Sequence, residues 1–103
     1  MSKAYISNKS VGKLISETQD KALARLTIDP TLLFDYYVSL TVYDCGGTWQ
    51  AWLDYGKSGE KPTHEVVVDG REYVEGKTLR GAIIKLRKQV LDKDISISIR
   101  RHK

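Results

Sequence analysis

The run Gly76-Lys77-Thr78 is the first candidate for a functional motif, because it combines residue types that bind phosphate and stands directly before a helical pattern. Glycine, lysine and threonine at the start of a helix are typical of phosphate-binding loops. That motif has fewer residues between its two glycines than the five that separate Gly70 from Gly76. The spacing therefore favours a structural turn, in which Thr78 caps the helix.

Metal binding and nucleophilic catalysis each lack a suitable set of residues. His64 and His102 are far apart in the sequence, and Cys45 is the single cysteine, so no closed zinc site is indicated. A nucleophile needs a neighbouring base and an orienting acid, whereas Cys45 lies in a glycine-rich turn that predicts an exposed thiol. We predict no catalytic residue, metal or cofactor. The least supported alternative is a small enzyme whose site is assembled from His64, Asp54 and Glu65.

The strongest structural pattern is a predicted β-hairpin. Residues Tyr37–Tyr43 and Thr48–Tyr55 alternate between apolar and polar with period two, on either side of Asp44-Cys45-Gly46-Gly47. Glycine readily adopts the positive φ angles of a tight reversal, so the turn is predicted at 44–47. This register sets Val38 opposite Leu53, and both strands then agree on which face is apolar.

The other face of this hairpin supplies the predicted partner-binding residues. They are aromatic and amide side chains set among small polar ones: Tyr37, Tyr43, Gln50 and Trp52. Exposed aromatic side chains anchor protein partners or stack on nucleic-acid bases. The segment after Pro30, or a second copy of the chain in a homodimer, could instead cover them. Of these readings we favour partner binding.

Two helices are predicted from apolar residues at helical spacing. The first runs from about Asn8 to Leu26, and Asp29-Pro30 then predicts a capped short turn. The second follows Thr78. The predicted buried residues are Val11, Leu14, Ile15, Ala22 and Leu26 in the first helix, and Leu79, Ala82, Ile83, Leu86 and Val90 in the second.

Three further short segments have strand character. His64–Val68 is followed by Asp69-Gly70, a strong two-residue turn signal, and Arg71–Val74 is predicted to return as a short strand. After the second helix, isoleucines alternate with polar residues from Ile95 to Arg100. The order α-β-β-β-(β)-α-β predicts an α+β fold, in which an antiparallel sheet of four to five strands has two helices on one face.

The length and composition of the chain limit the classes of protein to which it can belong. The chain has 103 residues, of which 41% are hydrophobic and 29% charged, which fits a single globular domain over residues 1–103. Its longest apolar stretches are far too short to cross a bilayer, and its N-terminal residues carry no secretory pattern. A lone cysteine is typical of a reducing compartment. We therefore expect a cytoplasmic protein without a membrane partner.

The charge of the chain is unevenly distributed. The formal net charge is +4, but residues 1–70 carry seven lysines and arginines against nine acidic residues, and residues 71–103 carry ten against four. Such asymmetry is typical of a surface that contacts nucleic acid or an acidic partner, although a solvated helix face explains it equally well. The candidate phosphate-contacting residues are Arg80, Lys85, Arg87, Lys88, Arg100 and Arg101.

About half of the chain resembles a known fold. Residues 36–91 contain a hairpin rich in valine and aromatic residues, a third strand, and the run Gly76-Lys77-Thr78-Leu79-Arg80-Gly81-Ala82-Ile83. This pattern resembles the double-stranded-RNA-binding-like core in the variant found in HicB-type antitoxins. The paired lysines of RNA-binding members would fall near Lys77 and Thr78, only one of which is lysine. The resemblance therefore implies a fold and assigns no site residue.

Two functional hypotheses of different class follow. The leading one is a non-enzymatic interaction module that binds a larger protein or nucleoprotein complex. In its general character the chain resembles the small stoichiometric inhibitors of host defence encoded by phages and other mobile elements, anti-CRISPR proteins among them, a resemblance of class and not of motif. The alternative is a nucleic-acid-binding domain that uses the basic C-terminal third, with affinity that falls as salt rises.

Overall fold

A computed structural model describes the backbone of residues 2–102 and the side chains of residues 11–102. In chain order its elements are helix α1 (Ser2–Leu26), a 3-10 turn (Pro30–Leu32), strands β1 (Tyr36–Asp44), β2 (Trp49–Lys57), β3 (His64–Val68) and β4 (Val74–Gly76), helix α2 (Leu79–Leu91) and strand β5 (Ile97–Arg101). This succession confirms the predicted α+β order. Within the described residues, no helix is long and apolar enough to span a bilayer.

The five strands form one antiparallel sheet, and both helices pack on the same face of it. The strand order is β1-β2-β3-β5, with β4 paired to β2. The core lies between the sheet and the helices, and its buried residues include Ala22, Val38, Ala51, Leu53, Val66, Val68, Val74, Ala82, Ile83, Leu86 and Val90. The buried positions predicted for α2 lie in this core, apart from Leu79, which is partly buried.

The register of the β1–β2 hairpin differs from the prediction by two residues. Val38 lies opposite Tyr55, and Leu40 is the residue opposite Leu53. The loop is closed by the Cys45 N–H, which donates to the Thr48 carbonyl at 2.8 Å, so the turn occupies 45–48 instead of 44–47. Because side chains alternate with period two, an even shift leaves every residue on the face predicted for it.

The return strand after β3 was predicted wrongly. The Asp69-Gly70 turn exists, with positive φ at both residues, but Arg71 makes only an isolated bridge to Val68. The chain then leaves β3, and β4 pairs with residues 49–51 of β2. Strand β3 pairs with β2 only at Asp54 and Tyr55. Strand β2 therefore changes its neighbour between Ala51 and Asp54, and we call this place the fork.

The start of α2 explains the Gly76-Lys77-Thr78 run. The Thr78 hydroxyl accepts a hydrogen bond from the Gly81 N–H at 2.9 Å, which confirms the predicted cap. A Cβ on Gly76 would lie 2.6 Å from the main-chain nitrogen of Ala82. The glycine is therefore required so that the end of β4 can pass against the first turn of α2.

Helix α1 is longer than predicted, because its helical backbone reaches back to Ser2 rather than to about Asn8. It is tied to α2 by polar contacts. Glu17 forms an ion pair with Arg87 at 3.1 Å, and the Arg25 guanidinium donates to main-chain carbonyls at and beyond the end of α2, those of Val90, Asp92 and Ile95. These contacts hold both helices against one side of the sheet.

Candidate partner-binding face of the sheet

The side of the sheet that points away from the helices is the candidate site, and we call it the outer face. Alternation along the strands brings there Ser39, Thr41, Tyr43, Gln50, Trp52, Asp54, Glu65, Val67, Ser98 and Arg100. In the described part of the chain no helix packs on this face, since the residues buried against α1 and α2 all lie on the other one. Tyr43 is 59% exposed and Trp52 is partly buried.

One predicted member of the site, Tyr37, is engaged by the chain itself. Its hydroxyl donates to the Glu60 carbonyl at 2.6 Å. Its ring lies over Gly56, where an added Cβ would come within 3.2 Å of the ring and 2.9 Å of the Pro62 Cα. The loop that follows β2 thus packs against Tyr37 at one end of the outer face, and the part left open is centred on Trp52.

Trp52 lies at the fork, between the residues of β2 that pair with β4 and those that pair with β3. The departing chain between β3 and β4 leaves a hollow of about 250 Å³ there. Its lining is one aromatic ring from the strand and one from the loop, an amide, and three carboxylates: Gln50, Trp52, Asp54, Glu65, Glu72 and Tyr73. We call it the fork hollow. It follows from the strand pairing, because a continuous β3–β2 ladder would fill it.

A second hollow of about 280 Å³ adjoins the first and shares Glu65 and Glu72 with it. The Arg100 guanidinium pairs there with both of these carboxylates. The hydrogen bonds to Glu65 and then to Glu72 raise the pKa of Arg100 above its ordinary value, so it remains charged. Beside it, His102 Nε2 lies 3.1 Å from Asp54 Oδ1.

The outer face is therefore acidic around its aromatic centre. Asp54, Glu65 and Glu72 place three carboxylates there, with Glu75 beside Gln50 on β4. Arg100 supplies the one permanent cation among the residues that line the two hollows. Phosphate groups would be repelled from such a surface, whereas cationic groups would be attracted.

Sequence reasoning named Trp52 and Gln50 but did not assign Glu72, Tyr73 or His102 to the site. Glu72 and Tyr73 belong to the loop between β3 and β4, which the sequence predicts as a return strand beside β3. His102 follows the last strand, and only the pairing of β5 with β3 brings it beside Asp54. The even spacing from Ile97 to Arg101 was the signal that could have placed it on the outer face.

The predicted phosphate-contacting residues do not form one patch. Arg100 lies on the outer face, whereas Arg80, Lys85, Arg87 and Lys88 lie on α2 in the helical layer. Arg87 is paired with Glu17, and the Lys85 ammonium donates to the Glu75 carbonyl at 3.2 Å. Arg101 is exposed. In the ladder between β5 and β3 it lies opposite His64, on the side of the sheet that faces the helices.

The residues considered for catalysis are also divided. Asp54 and Glu65 are opposite one another on the outer face, but His64 points to the other side, where its ring makes an edge contact with Tyr55 at 6.0 Å. Cys45 is exposed in the hairpin turn, as predicted. Among the described residues, no group of three or more histidine, cysteine or acidic side chains is arranged to hold a metal ion.

A third depression lies between α2 and the β3–β4 loop, on the other side of Tyr73 from the fork hollow. It measures about 420 Å³ and is lined by charges of both signs, among them Arg71, Glu75 and Lys85. Mixed charge of this kind is ordinary for a solvated surface. It lacks the concentration of one sign that marks the fork hollow.

Comparison of the chain with protein-family models, curated proteins and solved structures gave no significant match. The resemblance to the HicB-type fold therefore stays a prediction from the sequence, and the case for function depends on the outer face alone.

Proposed function

We propose that this chain is a non-enzymatic interaction module that binds a larger protein or nucleoprotein complex through the outer face of its sheet. The observation that carries the proposal is a set of aromatic side chains on the side of the sheet that no described helical residue covers. Trp52 is partly buried and Tyr43 exposed on the outer face, and Tyr73 is exposed on the adjoining loop. Partly buried tryptophan and tyrosine side chains at the centre of a surface are the side chains that anchor protein interfaces most often.

The negative charge of the outer face distinguishes among the molecules that could bind there, which are a second copy of the chain, a nucleic acid and a different protein. A second copy bound about a two-fold axis would bring the same patch against itself. The carboxylates of Asp54, Glu65 and Glu72 would then be brought close to those of the other copy, with one Arg100 per chain to offset them. Stacked nucleic-acid bases would carry phosphates past the same carboxylates. A different protein as partner avoids both conflicts. Small phage-type inhibitors of host defence that act in the cytoplasm are one class of interaction module that binds in this way.

Site-specific photo-cross-linking in the cells that encode the chain tests the proposal. Benzoylphenylalanine is introduced at Thr41, which lies opposite Trp52 on the outer face, and as a matched control at Lys88, which is exposed on α2. We expect one defined protein to cross-link at position 41 only, and to disappear when Trp52→Ala is combined with it. Cross-linking that is equal at both positions, or that survives Trp52→Ala, would contradict the proposal.

Light scattering of the purified chain separates the remaining occupants. We expect a monomer that does not change when short DNA or RNA is added at low salt. A dimer that Trp52→Ala dissociates would assign the outer face to self-association. A salt-sensitive complex with nucleic acid would transfer the function to the basic residues of α2, since each neutralised phosphate releases counterions.

A further inference from the structure

We infer that the outer face recognises an arginine side chain of its partner, whose guanidinium enters the fork hollow against the Trp52 ring and beside Asp54. This inference rests on the proposed function and goes beyond it by naming the chemical group that is recognised. It is carried by the size of the hollow, by its charge and by a guanidinium that already lies next to it.

The size of the fork hollow fits one side chain. Pockets for drug-sized ligands usually measure roughly 300–1,000 Å³, whereas this hollow measures about 250 Å³ and opens on the sheet surface. An extended partner segment lying along the outer face could insert a single long side chain there.

The charge of the hollow calls for a cation. Three of its six lining residues are carboxylates, and none is a lysine, arginine or histidine. Arg100 offsets one of the three carboxylate charges from the adjoining hollow, so the carboxylates outnumber the permanent cations among the residues that line the two hollows. An apolar side chain would take these carboxylates out of water without pairing them, which is unfavourable.

Arg100 shows that the carboxylates are placed to bind a guanidinium. Its guanidinium donates to Glu65 and to Glu72 at the same time, as a group with several N–H donors can. A carboxylate accepts several hydrogen bonds, so this pairing does not exhaust either residue. Asp54 lines the hollow together with the Trp52 ring. Its Oδ1 lies 3.1 Å from His102 Nε2, and a carboxylate with two oxygens can still accept further hydrogen bonds.

The aromatic lining favours arginine over lysine. A guanidinium stacks on a tryptophan face and still donates in its own plane to carboxylates, whereas an ammonium is a compact, strongly hydrated charge. Trp52 and Tyr73 supply two aromatic rings to the lining of the hollow, together with Asp54 and Glu72. An arginine that stacks on Trp52 would therefore use both features of the hollow at once.

Tryptophan fluorescence tests this inference with defined probes. The chain has two tryptophans, and Trp49→Phe leaves Trp52 as the one reporter. Three synthetic peptides are titrated at low salt, in which serine alternates with arginine, lysine or glutamate. We expect saturable quenching by the arginine peptide, weaker binding of the lysine peptide by about fivefold or more, and no response to the glutamate peptide.

Charge-removing variants then localise the binding. In the Trp49→Phe background, Asp54→Asn should weaken the arginine peptide by roughly tenfold, which corresponds to one charge-assisted contact. Asp20→Asn removes the same charge from an exposed position of α1 and should change affinity less than twofold. Circular dichroism of each variant checks that it is folded.

Equal affinity for the arginine and lysine peptides, indifference to Asp54→Asn, or no response at millimolar peptide would overturn the inference. If any of these results were obtained together with a Trp52-dependent cross-link at position 41, the inferred recognition of arginine would be rejected and the proposed interaction module would be retained. The absence of that cross-link would instead reject the proposed function itself.

Discussion

Arg25 Nη2 on α1 donates to the carbonyl oxygen of Ile95 at 2.7 Å, across 70 residues of sequence. The same guanidinium reaches the carbonyls of Val90 and Asp92, each at 3.2 Å. The last carbonyls of a helix have no partner inside it, so Arg25 supplies donors that α2 lacks at its end. It also joins the end of α2 to the loop that leads into β5.

Replacement of Arg25 by methionine should therefore destabilise the fold. Arg25→Met keeps most of the apolar stem and removes every donor, and we expect a loss of about 1–3 kcal/mol in the free energy of unfolding. Urea denaturation measures it. Lys21→Met, at an exposed position of the same helix, is the matched control and should change stability by less than about 0.5 kcal/mol. Equal effects of the two variants would show that these bonds contribute nothing specific.

Two glycine-to-alanine substitutions should have opposite effects. Gly76→Ala places a methyl group 2.6 Å from the Ala82 nitrogen, so the β4–α2 junction must shift, and we expect destabilisation of about 1–3 kcal/mol. Gly12 lies in α1 with open space around it. Gly12→Ala should stabilise the fold by up to about 1 kcal/mol through helix propensity. Thermal unfolding followed by circular dichroism reports both, and a rise in melting temperature for Gly76→Ala would contradict the packing described.

The Glu17–Arg87 pair should contribute little to stability. Both side chains are more than one-third exposed, at 38% and 35%, and such pairs are screened by water and salt. A double-mutant cycle with Glu17→Gln and Arg87→Met should give a coupling below about 1 kcal/mol, and 1 M salt should reduce it. A larger coupling that salt does not change would mean that the pair is effectively buried between the helices.

Stability at high pH should depend on Tyr55. Burial, and secondarily the charge of neighbouring Tyr36, raise the pKa of the Tyr55 hydroxyl above its ordinary value. The stabilisation of the folded chain that results from this raised pKa is therefore complete below the ordinary tyrosine pKa, about 10. It is lost as pH rises through the higher pKa of the folded chain, because the unfolded chain gives up its proton first.

Tyr55→Phe should accordingly flatten the fall in stability above pH ~10, measured by urea denaturation across the alkaline range. Tyr36 and Tyr55 are stacked with their ring centroids 5.3 Å apart, and phenylalanine preserves that contact. Tyr43→Phe, at the exposed end of the hairpin, removes one hydroxyl elsewhere and serves as the control. An identical alkaline slope in wild type and Tyr55→Phe would refute the assignment.

The sequence sufficed to predict which side of the sheet each hairpin residue occupies, because apolar side chains recur at every second residue within each strand, from Val38 to Val42 and again from Trp49 to Leu53. It did not suffice for the register. Two glycines flanked by polar residues permit a turn at 44–47 or at 45–48, and the bond from Cys45 to Thr48 decides between them. Both registers bury the same residues, so hydrophobic pattern carries no information about the choice.

The candidate site was half predictable for a related reason. Trp52 and Gln50 stand on a strand, where alternation fixes their direction, whereas Glu72 and Tyr73 stand on a loop whose path depends on β4. That strand has only three residues, too few for a pattern to reveal its partner. The fork, and with it the hollow beside Trp52, exists because β4 pairs with β2 instead of β3.

The fork also bears on how such a protein could change over generations. The loop between β3 and β4 begins after a tight turn at Asp69-Gly70 and ends where β4 takes up its bonds to β2. Residues 71–73 therefore lie outside the regular ladder, apart from the one bridge at Arg71. Substitutions and insertions there would rewrite the lining of the hollow while the core keeps its packing. The shape and charge of this surface can therefore vary through a few residues of one loop, independently of the residues on which folding depends.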